Sequence, residues 1–183
     1  MDTAGASARQ VELLEAAYRY VLAKGLGDLS LRPLAAAIGS SPRVLLFLFG
    51  SKDGLVRALL ARARTDELAM LGRIRTSGGM AEIAREVWAW LSAPEHRALL
   101  TLWTEAYARS LVEPDGAWSG FARDTVQDWL ALLAEAQPPE ERDTPAGAAR
   151  RTSVLAVLRG ALLDLLATGD EERTTAAVEE ALS

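Results

Sequence analysis

The sequence predicts an all-α fold of about nine helices, three in a short N-terminal head and the rest in a longer helical body. Apolar residues recur at spacings of three and four along nearly the whole chain, and no alternating β-branched stretch is long enough for a strand. The seven prolines and most of the 14 glycines fall between these segments, where they end one helix and admit the next. At 183 residues the chain has room for one head and one substantial core, and it contains no internal repeat or low-complexity tract.

The first helix is expected over about 8–24, with Val11, Leu14, Tyr18 and Leu22 on one face, ending at Gly25 and Gly27, which can take the left-handed capping conformation. Ser30 is placed to cap a short second helix over 31–38, with Pro33 in the first turn, where its missing N–H costs nothing. Gly39 and Ser40 make the next turn. Ser41 can cap a third helix, Pro42–Phe49, whose first position is a proline, and Gly50 ends it. A fourth helix is expected over about 52–75, closed by the TSGG run of 76–79. The body then continues with helices near 80–92, 95–111, 117–136, 145–168 and 171–182, separated by Pro94, the EPDG of 113–116, the PPEERDTP of 138–145 and Gly169. The expected division is a head of 1–52 and a body of 53–183.

Half of the residues are hydrophobic and a quarter charged, a globular balance. Zero cysteines exclude disulfides and thiolate metal sites, and the single histidine, His96, leaves almost no material for a histidine-bound zinc or a Ser-His-Asp nucleophile. The expectation is therefore a protein without catalytic residues, metal or cofactor. No apolar run reaches membrane-spanning length and the start MDTAGASARQ lacks a signal-peptide layout, so no membrane partner and a cytoplasmic location are expected. The net charge of −5 is unevenly spread: residues 1–64 carry +4 and the remainder −9. Association with phosphates depends on local positive charge, so a basic head on an acidic body is compatible with nucleic acid.

Residues 29–49, LSLRPLAAAIGSSPRVLLFLF, read as two short helices joined by a glycine turn, the helix-turn-helix plan. The run Ala35, Ala36 and Ala37 would let the two helices approach closely, and Gly39 supplies positive φ at the turn. With these parts in place the head resembles that of the tetracycline-repressor (TetR) family. The matching residues are Leu13, Ala16, Ala17, Gly25, Ser30, Arg32, Leu34, Ala36, Gly39, Ser41, Leu45, Phe49, Ser51, Lys52, Asp53 and Leu55. The match covers about residues 8–60, and the body shows no comparable signature.

The resemblance implies a third helix in the major groove of a double-stranded DNA operator. Lys52 then sits where the helix dipole and its ammonium both favour a phosphate, and Ser30, Arg32 and Ser41 are further backbone-contact candidates. Arg43, the only charged residue of the third helix, is the candidate for a guanine contact, because its guanidinium can pair with O6 and N7 together. The chain departs from the family pattern at Val44, Leu46 and Phe47, where the usual hydrogen-bonding residues are absent. These three either touch thymine methyls or are buried, leaving a weak or inactive head.

In the body, Trp88, Trp90, Trp103, Trp118, Tyr107, Phe121 and Met80 are candidates for an aromatic pocket wall, with Thr101, Thr104, Glu105 and Gln127 as polar partners. The ligand set selected from these is Trp88, Trp103, Tyr107, Trp118, Phe121 and Gln127. His96, after Pro94, reads as a surface or capping residue. Val154, Leu155, Leu158, Leu162 and Leu165 make the eighth expected helix too apolar for one neighbour, and with Val178 on the ninth they suggest a homodimer face; Ala156, Gly160 and Ala161 would permit close helix approach. In the TetR family the last two long helices pair across a two-fold axis. The reading is a ligand-responsive regulator, a repressor that binds a palindrome as a homodimer and is released by a small hydrophobic or aromatic effector. The alternative is a small-molecule-binding protein or enzyme with a helical cavity and a degenerate head.

Overall fold

The computed structural model describes residues 3–27, 29–74 and 79–183, with the backbone alone over 3–7. Among the described residues there are ten α-helices and no strand. They are α1 (Thr3–Lys24), α2 (Leu31–Ala37), α3 (Pro42–Phe49), α4 (Lys52–Leu71), α5 (Met80–Ser92), α6 (Arg97–Val112), α7 (Phe121–Glu135), α8 (Pro139–Arg142), α9 (Pro145–Thr168) and α10 (Glu171–Ala181), with a 3₁₀ turn at Pro94–His96. The chain forms two compact units, Met1–Asp66 with Thr101–Ala122, and Glu67–Leu100 with Arg123–Ser183, so that the backbone passes between them within α4, α6 and α7.

In the first unit, α1 begins earlier than expected: the apolar period starts only at Val11, while the helix already runs from Thr3. Its buried face is Leu13, Ala17, Tyr18 and Val21, which shares only Tyr18 with the expected one: Val11 is 58% exposed, and Leu14 and Leu22 are half-buried. Counting the small Ala17 as core rather than spacer would have found this stripe. Gly25 takes φ +84 and ends α1, whereas Gly27 does not have positive φ.

Ser30 stands at the N-cap of α2 in extended conformation but makes no capping hydrogen bond. The reason is local: Pro33 occupies the third helical position, whose N–H the cap would accept. Ser41 meets no such obstacle, and its Oγ accepts from Val44 N at 3.3 Å. Helices α2 and α3 meet at 102°. Leu34, Ala35 and Leu45 are buried, while Ala36 and Ala37 face outward, so only one of the three alanines is part of the packed side. Gly39 has φ +64 in the turn, as expected. Gln10 Nε2 donates to Leu48 O at 3.0 Å and ties α3 back to α1.

Helix α4 ends at Leu71, short of the expected 75; Arg75 and the first three residues of the TSGG run lie outside the described residues. In the second unit α5, α9 and α10 pack on one another. Ile83, Ala84, Val87, Trp88 and Leu91 supply the buried face of α5. The expected helix at 95–111 opens as the 3₁₀ turn, where His96 stacks on Trp90 at 4.0 Å between centroids and its Nδ1 lies 2.8 Å from Trp90 O. A carbonyl can only accept, so Nδ1 carries the proton and His96 closes the end of α5. The expected helix at 117–136 starts only at Phe121, leaving Trp118 in the preceding turn, which Gly120 closes at φ +81. The expected break at 138–145 contains the one-turn α8. Thr144 caps α9 by accepting from Gly147 N at 3.0 Å, Gly169 ends it in the left-handed conformation, and Asp170 caps α10.

Candidate nucleic-acid interface

The eight residues of α3 divide sharply. Leu45 is buried at 1% exposure, whereas Arg43, Val44, Leu46 and Phe47 lie on the outside, Phe47 at 76%. Val44, Leu46 and Phe47 are therefore not buried within the chain itself. Ser30 and Arg32 are exposed at the start of α2, Ser41 is half-buried beneath its cap bond, and Lys52 is the exposed first residue of α4. Lys52 is set by a tight corner: Ser51 Oγ accepts from Gly54 N at 2.9 Å, and a Cβ on Gly54 would overlap the carbonyl oxygen of Phe49.

Behind this surface, polar contacts join α1 to α4. Arg62 reaches Glu15 at 2.5 Å and Asp66 at 2.5 Å, and its guanidinium lies over the Tyr18 ring at 4.8 Å. Tyr18 Oη donates to Asp66 at 2.8 Å. Burial, then the hydrogen bond to Asp66, raise the Tyr18 phenol above its ordinary range; the hydrogen bond to Glu15 is the leading cause that raises Arg62. Sequence reasoning missed this cluster, although Arg62 and Asp66 at a spacing of four were visible. Glu105, expected near a ligand, instead accepts from Leu26 N at 2.8 Å beside the head.

The six ligand candidates fall in different units. Trp103, Trp118 and Phe121 are buried and Tyr107 half-buried in the unit containing the head, while Trp88 and Gln127 belong to the other. Trp88 Nε1 donates to Thr175 Oγ1 at 2.9 Å, which satisfies the indole within the packing of α5 on α10, and Gln127 is exposed. In the second unit Glu67 is fully buried; Trp129 Nε1 donates to its Oε1 at 2.6 Å and Thr125 Oγ1 to its Oε2 at 3.4 Å. Trp129 was the one tryptophan left aside in the sequence. A cavity of about 150 Å³ in this unit is lined by Leu91, Leu100, Leu165, Arg97 and Glu171, none of them ligand candidates.

Of the dimer candidates, Leu155, Leu158, Leu165 and Val178 are buried inside the chain, and Val154 and Leu162 are half-buried. The opposite side of α9 is exposed along Ala149, Ser153, Ala156, Gly160, Leu163 and Ala167, a four-three repeat of mostly small residues. Among the described residues no cluster of three or more His, Asp or Glu could hold a metal ion. No single described helix is long and apolar enough to cross a membrane.

Residues 13–59 match the family of bacterial regulatory proteins described as the tetR family. The matched span runs from the first buried leucine of α1 through the corner at Lys52 into α4 and so contains the exposed face of α3. The chain carries a TetR-family head over these residues. It is a DNA-binding transcriptional regulator, which gives the exposed α3 its setting. No curated protein matches the chain. Solved TetR-like structures extend the likeness beyond the head to nearly the full length. A transcriptional regulator from Rhodococcus sp. Rha1 is 19% identical with a TM-score of 0.76, covering 94% of this chain and 93% of that one. A TetR transcription regulator from Haloarcula marismortui is 18% identical with a TM-score of 0.75, covering 96% and 95%. The multidrug binding protein EbrR, complexed with proflavin, is 26% identical with a TM-score of 0.65, covering 94% and 99%.

Proposed function

We propose that this chain is a ligand-responsive repressor of the TetR family in which residues 1–52 bind DNA and 53–183 bind an effector and a second copy of the chain. The observation that carries the DNA reading is the outward face of α3: Arg43, Val44, Leu46 and Phe47 project from a helix anchored by Leu45 and capped by Ser41. Arg43 reads a guanine, the three apolar residues meet thymine methyls, and Ser30, Arg32, Ser41 and Lys52 hold the phosphates. The dimer pairs the outer face of α9 with its copy, placing two heads on a palindrome. An effector of aromatic character is supported by the complexes of EbrR with proflavin and ethidium. Its release of DNA requires better binding to one head arrangement than to another, and α4, which runs from the DNA corner at Lys52 to the buried Glu67, is the lever.

Sequencing the DNA fragments that the purified protein selects from a random pool tests this. A palindromic motif is expected, and a selected pool with no shared motif would refute specific binding. Tryptophan-fluorescence titration with proflavin, without DNA, tests the effector class; saturable quenching is expected.

A further inference from the structure

We propose that Glu105 is a positioning residue for DNA binding, its carboxylate holding the loop between α1 and α2 so that Ser30 and Arg32 stand at the DNA-facing surface. Helix α1 ends at Gly25, whose N–H closes onto Val21 O at 2.8 Å. A helix that ends on a left-handed glycine through this single bond leaves the next N–H without a partner in the helix. Here that N–H, on Leu26, donates instead to Glu105 Oε2 at 2.8 Å, a bond between residues 79 apart. The loop is shaped to admit the carboxylate. A Cβ on Gly25 would stand 3.3 Å from Glu105 Oε2, and one on Gly27 only 2.6 Å from Oε1. Gly27 does not need positive φ, so the space it leaves for Glu105 is the structural use of that glycine.

Leu26 and Leu29 are both buried and Leu29 N donates to Leu26 O at 3.1 Å, so one tight turn links the Glu105 contact to Ser30. A carboxylate at a helix C-terminus works against the helix dipole, where a cation would be the stabilising choice. Generic helix stabilisation therefore does not account for Glu105, whereas capture of a specific N–H does. Trp103 and Tyr107 flank Glu105 two residues away on the same helix. On the effector reading proposed above, on which this last step alone rests, movement of α6 reaches the head at Leu26.

The test measures two quantities in the full-length protein: hydrogen exchange at the Leu26 amide, and affinity for the DNA pool selected by the unmodified protein. Glu105→Ala should speed Leu26 exchange by about tenfold or more and weaken DNA binding by about tenfold, the scale of losing one charge-assisted hydrogen bond. Glu105→Gln keeps an accepting oxygen and should stay within about threefold on both. Gly27→Ala keeps the carboxylate but fills its seat and should follow Glu105→Ala, which covers the case that the latter fails to fold. Unchanged Leu26 exchange in both Glu105→Ala and Gly27→Ala, or faster exchange with unchanged DNA affinity, overturns the proposal. Failure of the unmodified protein to select DNA would instead sink the functional reading, and Leu26 exchange would still decide whether Glu105 holds the loop.

Discussion

At Tyr18 a ring that belongs to the core carries a hydroxyl that must be satisfied there, and Asp66 accepts it at 2.8 Å. Burial and that acceptor both favour the neutral phenol and raise its pKa. A group raised in the folded state stabilises fully below its unfolded pKa, about 10 for tyrosine, and the contribution is lost as pH rises from there toward the folded value. Urea unfolding should therefore show an alkaline loss of stability that Tyr18→Phe reduces, while at neutral pH the same substitution costs about 1 kcal/mol. An identical alkaline slope in the two proteins would contradict the raised phenol. Arg43 and Lys52 differ at the same scale. Arg43→Ala should cost about 1–3 kcal/mol in DNA binding and relax preference at one base position, whereas Lys52→Ala should weaken all sequences alike and lower the salt slope by about one. A salt series on selected and scrambled DNA separates them. If both lose affinity equally on both DNAs, Arg43 is only a phosphate contact.

Among the elements, the corner between α3 and α4 is the most constrained part of the head. A Cβ on Gly54 would overlap Phe49 O, a backbone atom that cannot rotate aside. Gly54→Ala should thus cost about 1–3 kcal/mol, as overpacking does, despite the better helix propensity of alanine. Calorimetry reads this directly, and an unchanged or higher melting temperature would show that the corner relaxes. The contrast between head and body explains how much was legible in the sequence. Helices α2 and α3 were found nearly to the residue, because their signals are local: Ser41 before Pro42, Gly39 in the turn, Gly50 after Phe49. The failed cap at Ser30 was legible too, since Pro33 stands at the third position. In the body the decisive contacts are distant. Trp129 meets Glu67 across 62 residues and Glu105 meets Leu26 across 79, so helical spacing says nothing of either. Trp118 failed for another reason: an aromatic just before a helix looks like part of it until Gly120 turns the chain.

At the scale of the molecule, α9 carries two seams two residues out of phase and hence on opposite sides of the helix. The inner one, through Leu155, Leu158, Leu162 and Leu165, faces the chain's own core in three of its four residues. The outer one, through Ala149, Ser153, Ala156, Gly160, Leu163 and Ala167, is exposed, and a Cβ on Gly160 would meet nothing within 4 Å. Its four-three spacing is that of helices packing at a shallow angle, and small side chains allow the backbones to come close. The sequence named the larger leucines for the face and Ala156 and Gly160 for close approach; of these, the two small residues lie on the exposed seam. The two seams therefore predict opposite phenotypes. Leu158→Ala should lower stability by about 2–5 kcal/mol, the usual cost of emptying a core leucine site, and leave the assembly dimeric at concentrations where the protein is folded. On the proposed pairing of α9 with its copy, Leu163→Glu, or Gly160→Glu, should leave the monomer folded but set like charges against each other, giving half the mass by light scattering at about 10 μM. Because the second head binds at high effective concentration only when tethered to the first, the monomer should lose about 100-fold or more in affinity for a full palindrome but little for a half-site. A Leu163→Glu protein that stays dimeric and binds the palindrome normally would place the interface elsewhere.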